Sequence, residues 1–182
     1  MKRESRILGI SASKAIEKQI PVIGVVFRGN QWLDGIITCR LLSRNPNNVS
    51  ILAHAITECK QYSQLHAIIL AREWLSVGTR VDLSSLSDRI NLPVIAIVSY
   101  ERARAVRRAQ TRKRSRSAVT NYYRVKVRGN SLSVLATRLS LAETSEILSL
   151  ACVKGSMIPE PVRVAELVAS RVANLHTLQT AK

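Results

Sequence analysis

The stretch Pro21-Val22-Ile23-Gly24-Val25-Val26-Phe27-Arg28-Gly29-Asn30-Gln31-Trp32-Leu33-Asp34-Gly35-Ile36-Ile37-Thr38-Cys39 decides the architecture. Two apolar runs rich in β-branched residues flank Gly29-Asn30. Gly and Asn tolerate positive φ, so the dipeptide predicts a two-residue hairpin turn. That register sets Phe27 opposite Trp32, a cross-strand aromatic pair worth roughly 0.2–1 kcal/mol. Upstream, residues 6–12 (Arg-Ile-Leu-Gly-Ile-Ser-Ala) read as a further strand. The chain therefore begins with three strands in sequence.

Downstream, the period changes. Asn45-Pro46-Asn47-Asn48 breaks the pattern and can cap a helix. Leu52, Ala55, Ile56 and Cys59 then recur at helical spacing, predicting a helix over about 49–62. Residues 66–71 form a short apolar run expected of a strand covered on both faces. A short helix near 84–90 and a buried strand over 93–98 follow. Strand, strand, strand, helix, strand, helix, strand is the ribonuclease H-like order. The expected fold is a mixed α/β sheet, a three-strand antiparallel meander continued by parallel strand–helix units. Its expected organisation is one domain over residues 1–182.

Past residue 100 charge dominates. Residues 101–128 hold eleven basic residues against Glu101 alone: Arg102, Arg104, Arg107, Arg108, Arg112, Lys113, Arg114, Arg116, Arg124, Lys126 and Arg128. This segment supplies ten of the chain's formal net charge of +16. Residues 101–116 read as a helix with a small alanine stripe. Tyr122 to Arg128 alternates, with Tyr123, Val125 and Val127 on one side and Arg124, Lys126 and Arg128 on the other. Gly129-Asn130 repeats the Arg-Gly-Asn turn of 28–30, and pairing across it sets Val127 by Leu132, Val125 by Val134 and Tyr123 by Ala136. Ser140-Leu141-Ala142-Glu143 fits a capping box. It opens a helix of about 141–152 that Gly155 ends. Pro159-Glu160-Pro161 opens a last helix, where early prolines do little harm. Val162, Ala165, Val168, Ala169, Val172 and Leu175 form its inner stripe.

Composition narrows the function. A charge of +16 on 182 residues calls for a polyanionic partner, and nucleic acid, RNA or DNA, is the first to consider. Nine of the eleven cations in the basic segment are Arg, which forks onto phosphate and stacks on bases. Trp74, Tyr122 and Tyr123 could add stacking, but aromatics make up only 4% of the chain, which favours shape and phosphate recognition. No apolar run reaches the roughly 18 residues of a membrane span. Cys39, Cys59 and Cys152 are odd in number and widely spaced, as buried free thiols of a cytoplasmic protein would be. His54, His66 and His176 lack zinc-type spacing. No glycine-rich dinucleotide or phosphate-loop motif occurs.

Five stretches carry a family resemblance. They are Arg6-Ile7-Leu8-Gly9-Ile10, Pro21 to Val26, Leu33-Asp34-Gly35-Ile36, Leu92-Pro93-Val94-Ile95 and Pro159-Glu160-Pro161-Val162-Arg163-Val164-Ala165. The last is the most specific, close to a Pro-Glu-Pro-Leu-Arg-x-Ala signature. Through them the chain resembles the archaeal endonuclease dU family, related to endonuclease V. The resemblance implies a ribonuclease H-like fold and cleavage of phosphodiesters by carboxylate-held Mg²⁺. At the positions where the family carries acids, this chain has Ser11, Ala12, Arg44, Asn47 and Ala71. Asp82 alone keeps an acid at a motif position; Asp34 also matches, before Gly35 in the hairpin strand. The expectation is a nucleic-acid-binding member with a degenerate site, no confident catalytic residue and no cofactor. Two other readings stay open. One is a Mg²⁺-dependent endonuclease rebuilt on Asp34, Glu73 or Asp82. The other is a structural subunit of a ribonucleoprotein assembly. Asp82, just before Ser84-Ser85, also reads as a helix cap.

Overall fold

The computed structural model describes residues 4–76, 79–99, 120–156 and 158–179. The first three strands are β1 (Arg6–Ala12), β2 (Gln19–Arg28) and β3 (Trp32–Leu42). Helix α1 (Asn48–Thr57) and a single 3-10 turn (Tyr62–Gln64) lead to β4 (Leu65–Leu70). A small ribbon of β5 (Trp74–Ser76) and β6 (Thr79–Arg80) precedes α2 (Leu83–Ile90) and β7 (Val94–Ile97). The chain continues with β8 (Thr120–Val127), β9 (Asn130–Thr137), α3 (Leu141–Ala151) and α4 (Glu160–Gln179). The expected helix over 101–116 and the cations Arg102 to Arg116 lie outside the described residues, as does the side chain of Leu175.

Seven strands form one sheet in the order β3-β2-β1-β4-β7-β9-β8. β1, β4 and β7 run parallel, and every other pairing is antiparallel. This is the mixed sheet that the element order predicts. Residues of β1 alternate between two cores. Leu8 and Ile10 join Leu52, Ile56, Leu86 and Ile90 on the α1–α2 face. Ile7 joins Ile147, Leu148 and Val162 on the α3–α4 face. Both faces are covered, so the central strands carry no polar alternation.

Gly9 shows why β1 and α4 need each other. A Cβ there would lie 2.3 Å from the carbonyl carbon of Pro161 and 2.4 Å from the amide nitrogen of Val162. The first turn of α4 thus rests on bare β1 backbone. Ile23, Val25 and Phe27 of β2 pack on Ala165 and Ala169 further along the same helix.

Both hairpin registers differ from expectation. At the first, residues 29–31 form a three-residue loop, with Arg28 opposite Trp32 and Phe27 opposite Leu33. Val26 pairs with Gly35, so Asp34 is the extra residue of a bulge. The third loop residue, not the bulge, removes the Phe27–Trp32 pair, and Trp32 is 69% exposed. At the second, the turn residues are Arg128 and Gly129, with φ of 49° and 90°, and Val127 pairs with Asn130. Positive φ at both central positions is what a type I′ turn demands. Val125 therefore meets Leu132 and Tyr123 meets Val134. Moving the turn by one residue shifts the partner by two, so the apolar faces still agree.

Smaller corrections follow from capping. Helix α1 ends at Thr57, earlier than 62. Its N-cap Asn47 makes no side-chain cap bond, while Asn48 clamps the Leu42 backbone, accepting from its N–H at 3.1 Å and donating to its carbonyl at 2.6 Å. Helix α3 stops at Ala151 because Cys152 is already extended, and Gly155 lies in the turn beyond. The capping box at Ser140 and Glu143 is present in full.

Candidate functional site

The topology gathers the family motif positions other than Asp34 at one end of the sheet. Ser11, Ala12 and Ser13 close β1, and the Ala71 N–H donates to Ile10 O at 2.8 Å at the end of β4. The loop after β3 reaches the same end, where the Arg44 N–H contacts Thr79 Oγ1 at 3.4 Å. Ser11, Ser13 and Thr79 are buried. This is the end at which the resemblance sets the expected carboxylates.

The acids singled out in the sequence are spread and engaged. Asp82 is the N-cap of α2, its Oδ1 accepting the Ser85 N–H at 2.7 Å. Glu73 is buried beside the β5–β6 ribbon, pointing inward with Ala71 and Leu75 while Arg72 and Trp74 point outward. Arg80 Nη2 donates to Glu73 Oε2 at 3.3 Å. Asp34 lies at the opposite end of β1. Its carboxylate accepts from Arg6 Nε and stands 3.7 Å from Arg28 Nη2. Among the described residues no group of three or more His, Cys, Asp or Glu is placed to hold a metal ion.

Arg6 and Arg28 are the partners that sequence reasoning missed. They sit directly opposite across β1 and β2. Two like charges in that register destabilise a sheet unless an anion lies between them. The Asp34 bulge supplies one, a signal legible only once the register is known. Arg80 is a third such partner, bound to Glu73.

Arg124 and Lys126 are exposed on the edge strand β8, on the side opposite buried Val125 and Val127. Arg128 departs from the expected three-residue basic face. Its positive φ at the turn releases it from strand alternation, and its Nη2 reaches back to the Ser149 carbonyl of α3 at 3.5 Å. Tyr122 and Tyr123 are half-buried, with hydroxyls tied to Ser133 Oγ and to the Leu139 carbonyl. Trp74 and Trp32 are the exposed aromatic faces among the described residues. Of the three free thiols Cys152 alone is fully buried; Cys39 and Cys59 are half-buried. Burial pushes the Cys39 and Cys152 thiols up to about 11, so neither serves as a thiolate nucleophile at neutral pH. No helix among the described residues is long and apolar enough to cross a membrane.

The sheet order and its two helical layers define a ribonuclease H-like protein. A solved protein of unknown function from Archaeoglobus fulgidus superposes with a TM-score of 0.71 at 23% identity, covering 92% of this chain and 97% of that one. Human ENDOV superposes at 0.61 and 15% identity, covering 98% and 86%. Endonuclease V of Ciona intestinalis, solved with DNA containing an inosine followed by a ribo-adenosine, superposes at 0.55 and 12% identity, covering 98% and 87%. The Endonuclease dU family model matches residues 3–173, and the chain belongs to that family. A UPF0215 protein of Methanothermobacter thermautotrophicus is 29% identical over 94% of this chain and 89% of its own length. Another, from Methanosarcina acetivorans, is 25% identical over 94% and 92%.

Proposed function

We propose that this chain binds nucleic acid, RNA or DNA, with its family's cation cage dismantled. The working surface is the guanidinium-rich segment 101–128. The observation that carries the reading is the state of the acids near the sheet's motif end. Glu73 is paired with Arg80, and Asp82 is spent on the first turn of α2. Asp34 is bound to arginine at the other end of β1. Ser11, Ala12 and Ala71 offer no carboxylate, and Arg44 brings a charge that repels a cation. The Mg²⁺ implied by the resemblance does not fit this residue set, and no hydrolytic step is derived through it.

Nucleic acid remains the partner that the charge favours. The Ciona endonuclease V complex, with the same fold, supports carrying that partner over. Three free thiols support a reducing, cytoplasmic setting. We take residues 1–182 to act as one unit.

The test is binding to single- and double-stranded RNA and DNA across a salt series, with Mg²⁺ or Mn²⁺ present and strand integrity followed in parallel. Neutralising several phosphates gives a logarithmic salt slope of about −0.7 to −0.9 per contact. A steep slope with intact strands is expected. Salt-insensitive binding, or none, overturns the reading. Cleavage that Glu73→Gln or Asp82→Ala abolishes overturns it in favour of a rebuilt endonuclease.

A further inference from the structure

The two Arg-Gly-Asn turns, ninety-eight to one hundred and two residues apart between Arg28, Asn30, Arg128 and Asn130 by sequence position, meet at one cleft. Its volume is about 800 Å³. The β2–β3 tip gives Arg28 and Trp32, the β8–β9 tip gives Arg128, and the end of α3 with its following loop gives Ser149 and Lys154. By register the tips lie at opposite ends of the sheet. Arg28 pairs with Arg6 at the start of β1, whereas β8 runs parallel to β1 and ends at Val127. A twist of roughly 20–25° per strand, accumulated from β2 to β8, curls these diagonal corners toward one face. The α3–α4 face is the one on which they meet. Asn30 Nδ2 donates to the Cys152 carbonyl at 2.9 Å and fastens the first tip to the loop after α3.

The cleft carries spare donors beside an apolar face. Arg28 Nε is buried and has no hydrogen-bond partner among the described residues. Its guanidinium shares Asp34 with Arg6, so the two cations and one carboxylate keep a positive excess. Arg128 is exposed, with a contact to Ser149 O at the 3.5 Å limit. Lys154 is exposed. Glu4 and Asp34 also line the cleft, and Asp34 is already bound to Arg6. Trp32 presents its indole to solvent at the rim, an exposure with no folding benefit.

We infer that this cleft holds a nucleotide unit of a single-stranded nucleic acid, with phosphate among Arg28, Arg128 and Lys154 and the base against the Trp32 indole. The inference rests on the nucleic-acid reading above and deepens it. Guanidinium groups select phosphate, and an indole selects a flat π-face. A duplex hides that face within its stack; a single strand presents it.

The experiment is fluorescence titration of the full chain in a Trp74→Phe background, so that emission reports Trp32. A short oligothymidylate, an oligouridylate and thymidine monophosphate are the probes. Saturable quenching by the oligonucleotides is expected, with weaker binding of the monophosphate. With affinity read from the anisotropy of a dye-labelled oligonucleotide, Trp32→Ala is expected to lower it about 5- to 100-fold, and Trp32→Phe to restore most of it. Arg128→Ala is expected to reduce the logarithmic salt slope by about 0.7. If oligonucleotides bind but Trp32→Ala and Arg128→Ala change neither affinity nor slope, the cleft is refuted while the broader reading stands. If no nucleic acid binds the parent chain, both fall. Equal affinity for the monophosphate and the oligonucleotide overturns the assignment to a strand.

Discussion

Gly9 gives the sharpest residue-scale prediction. A Cβ there would collide with the backbone of Pro161 and Val162, which cannot rotate away as a side chain would. Gly9→Ala should cost about 1–3 kcal/mol or more, as overpacking does. Gly129→Ala is the contrast: nothing lies within 4 Å of its Cβ, and the penalty is the positive φ of 90°, about 1 kcal/mol. Urea unfolding of both variants checks the order, and a neutral Gly9→Ala would refute the packing argument. Asp82 gives a second prediction. As the N-cap of α2, its replacement by Ala should cost about 1 kcal/mol, while Asn, which can also cap, should cost little. Equal losses from both variants would show that the carboxylate's charge matters more than its cap bond.

At the scale of elements, the helix starts make stability depend on acid. The Ser140 side chain and then its backbone N–H hold the Glu143 carboxyl below its ordinary range, and hydrogen bonding from Arg163 does the same for Glu160 at the start of α4. Unfolded chains recover the ordinary values and take up those protons first. The contribution is therefore whole above the usual value near 4.5 and is lost as pH falls from there through the folded-state values. Melting temperatures followed down to about pH 3 should fall less steeply in a Glu143→Gln, Glu160→Gln double variant than in the parent. An unchanged slope would contradict the assignment. The capping box was legible because its four residues carry their own geometry. The hairpins were legible only in part. Alternation fixed which faces of β8 and β9 meet, but the turn centre depends on φ at Arg128, and sequence favoured the glycine-asparagine pair instead. The bulge at Asp34 answers to Arg6 on β1, two strands away across β2, which no local window contains. The β5–β6 ribbon, three and two residues long, is too short to show a period.

Across the whole molecule, sheet order followed from the run of elements, since β1, β4 and β7 are apolar on both faces and must be central. The meeting of two distant turns over the end of α3 did not, because it arises from accumulated twist rather than from any segment. Charge was legible in amount and not in arrangement: Arg124 and Lys126 sit on an edge strand, while Arg128 turns back toward α3. The acids Asp34, Glu73 and Asp82 are bound to the chain's own arginines and amides. Calorimetric titration of the full chain with Mn²⁺ tests this directly. The expected result is heat of dilution alone, unchanged by Glu73→Gln. A saturable, stoichiometric site that Glu73→Gln or Asp82→Asn removes would contradict it.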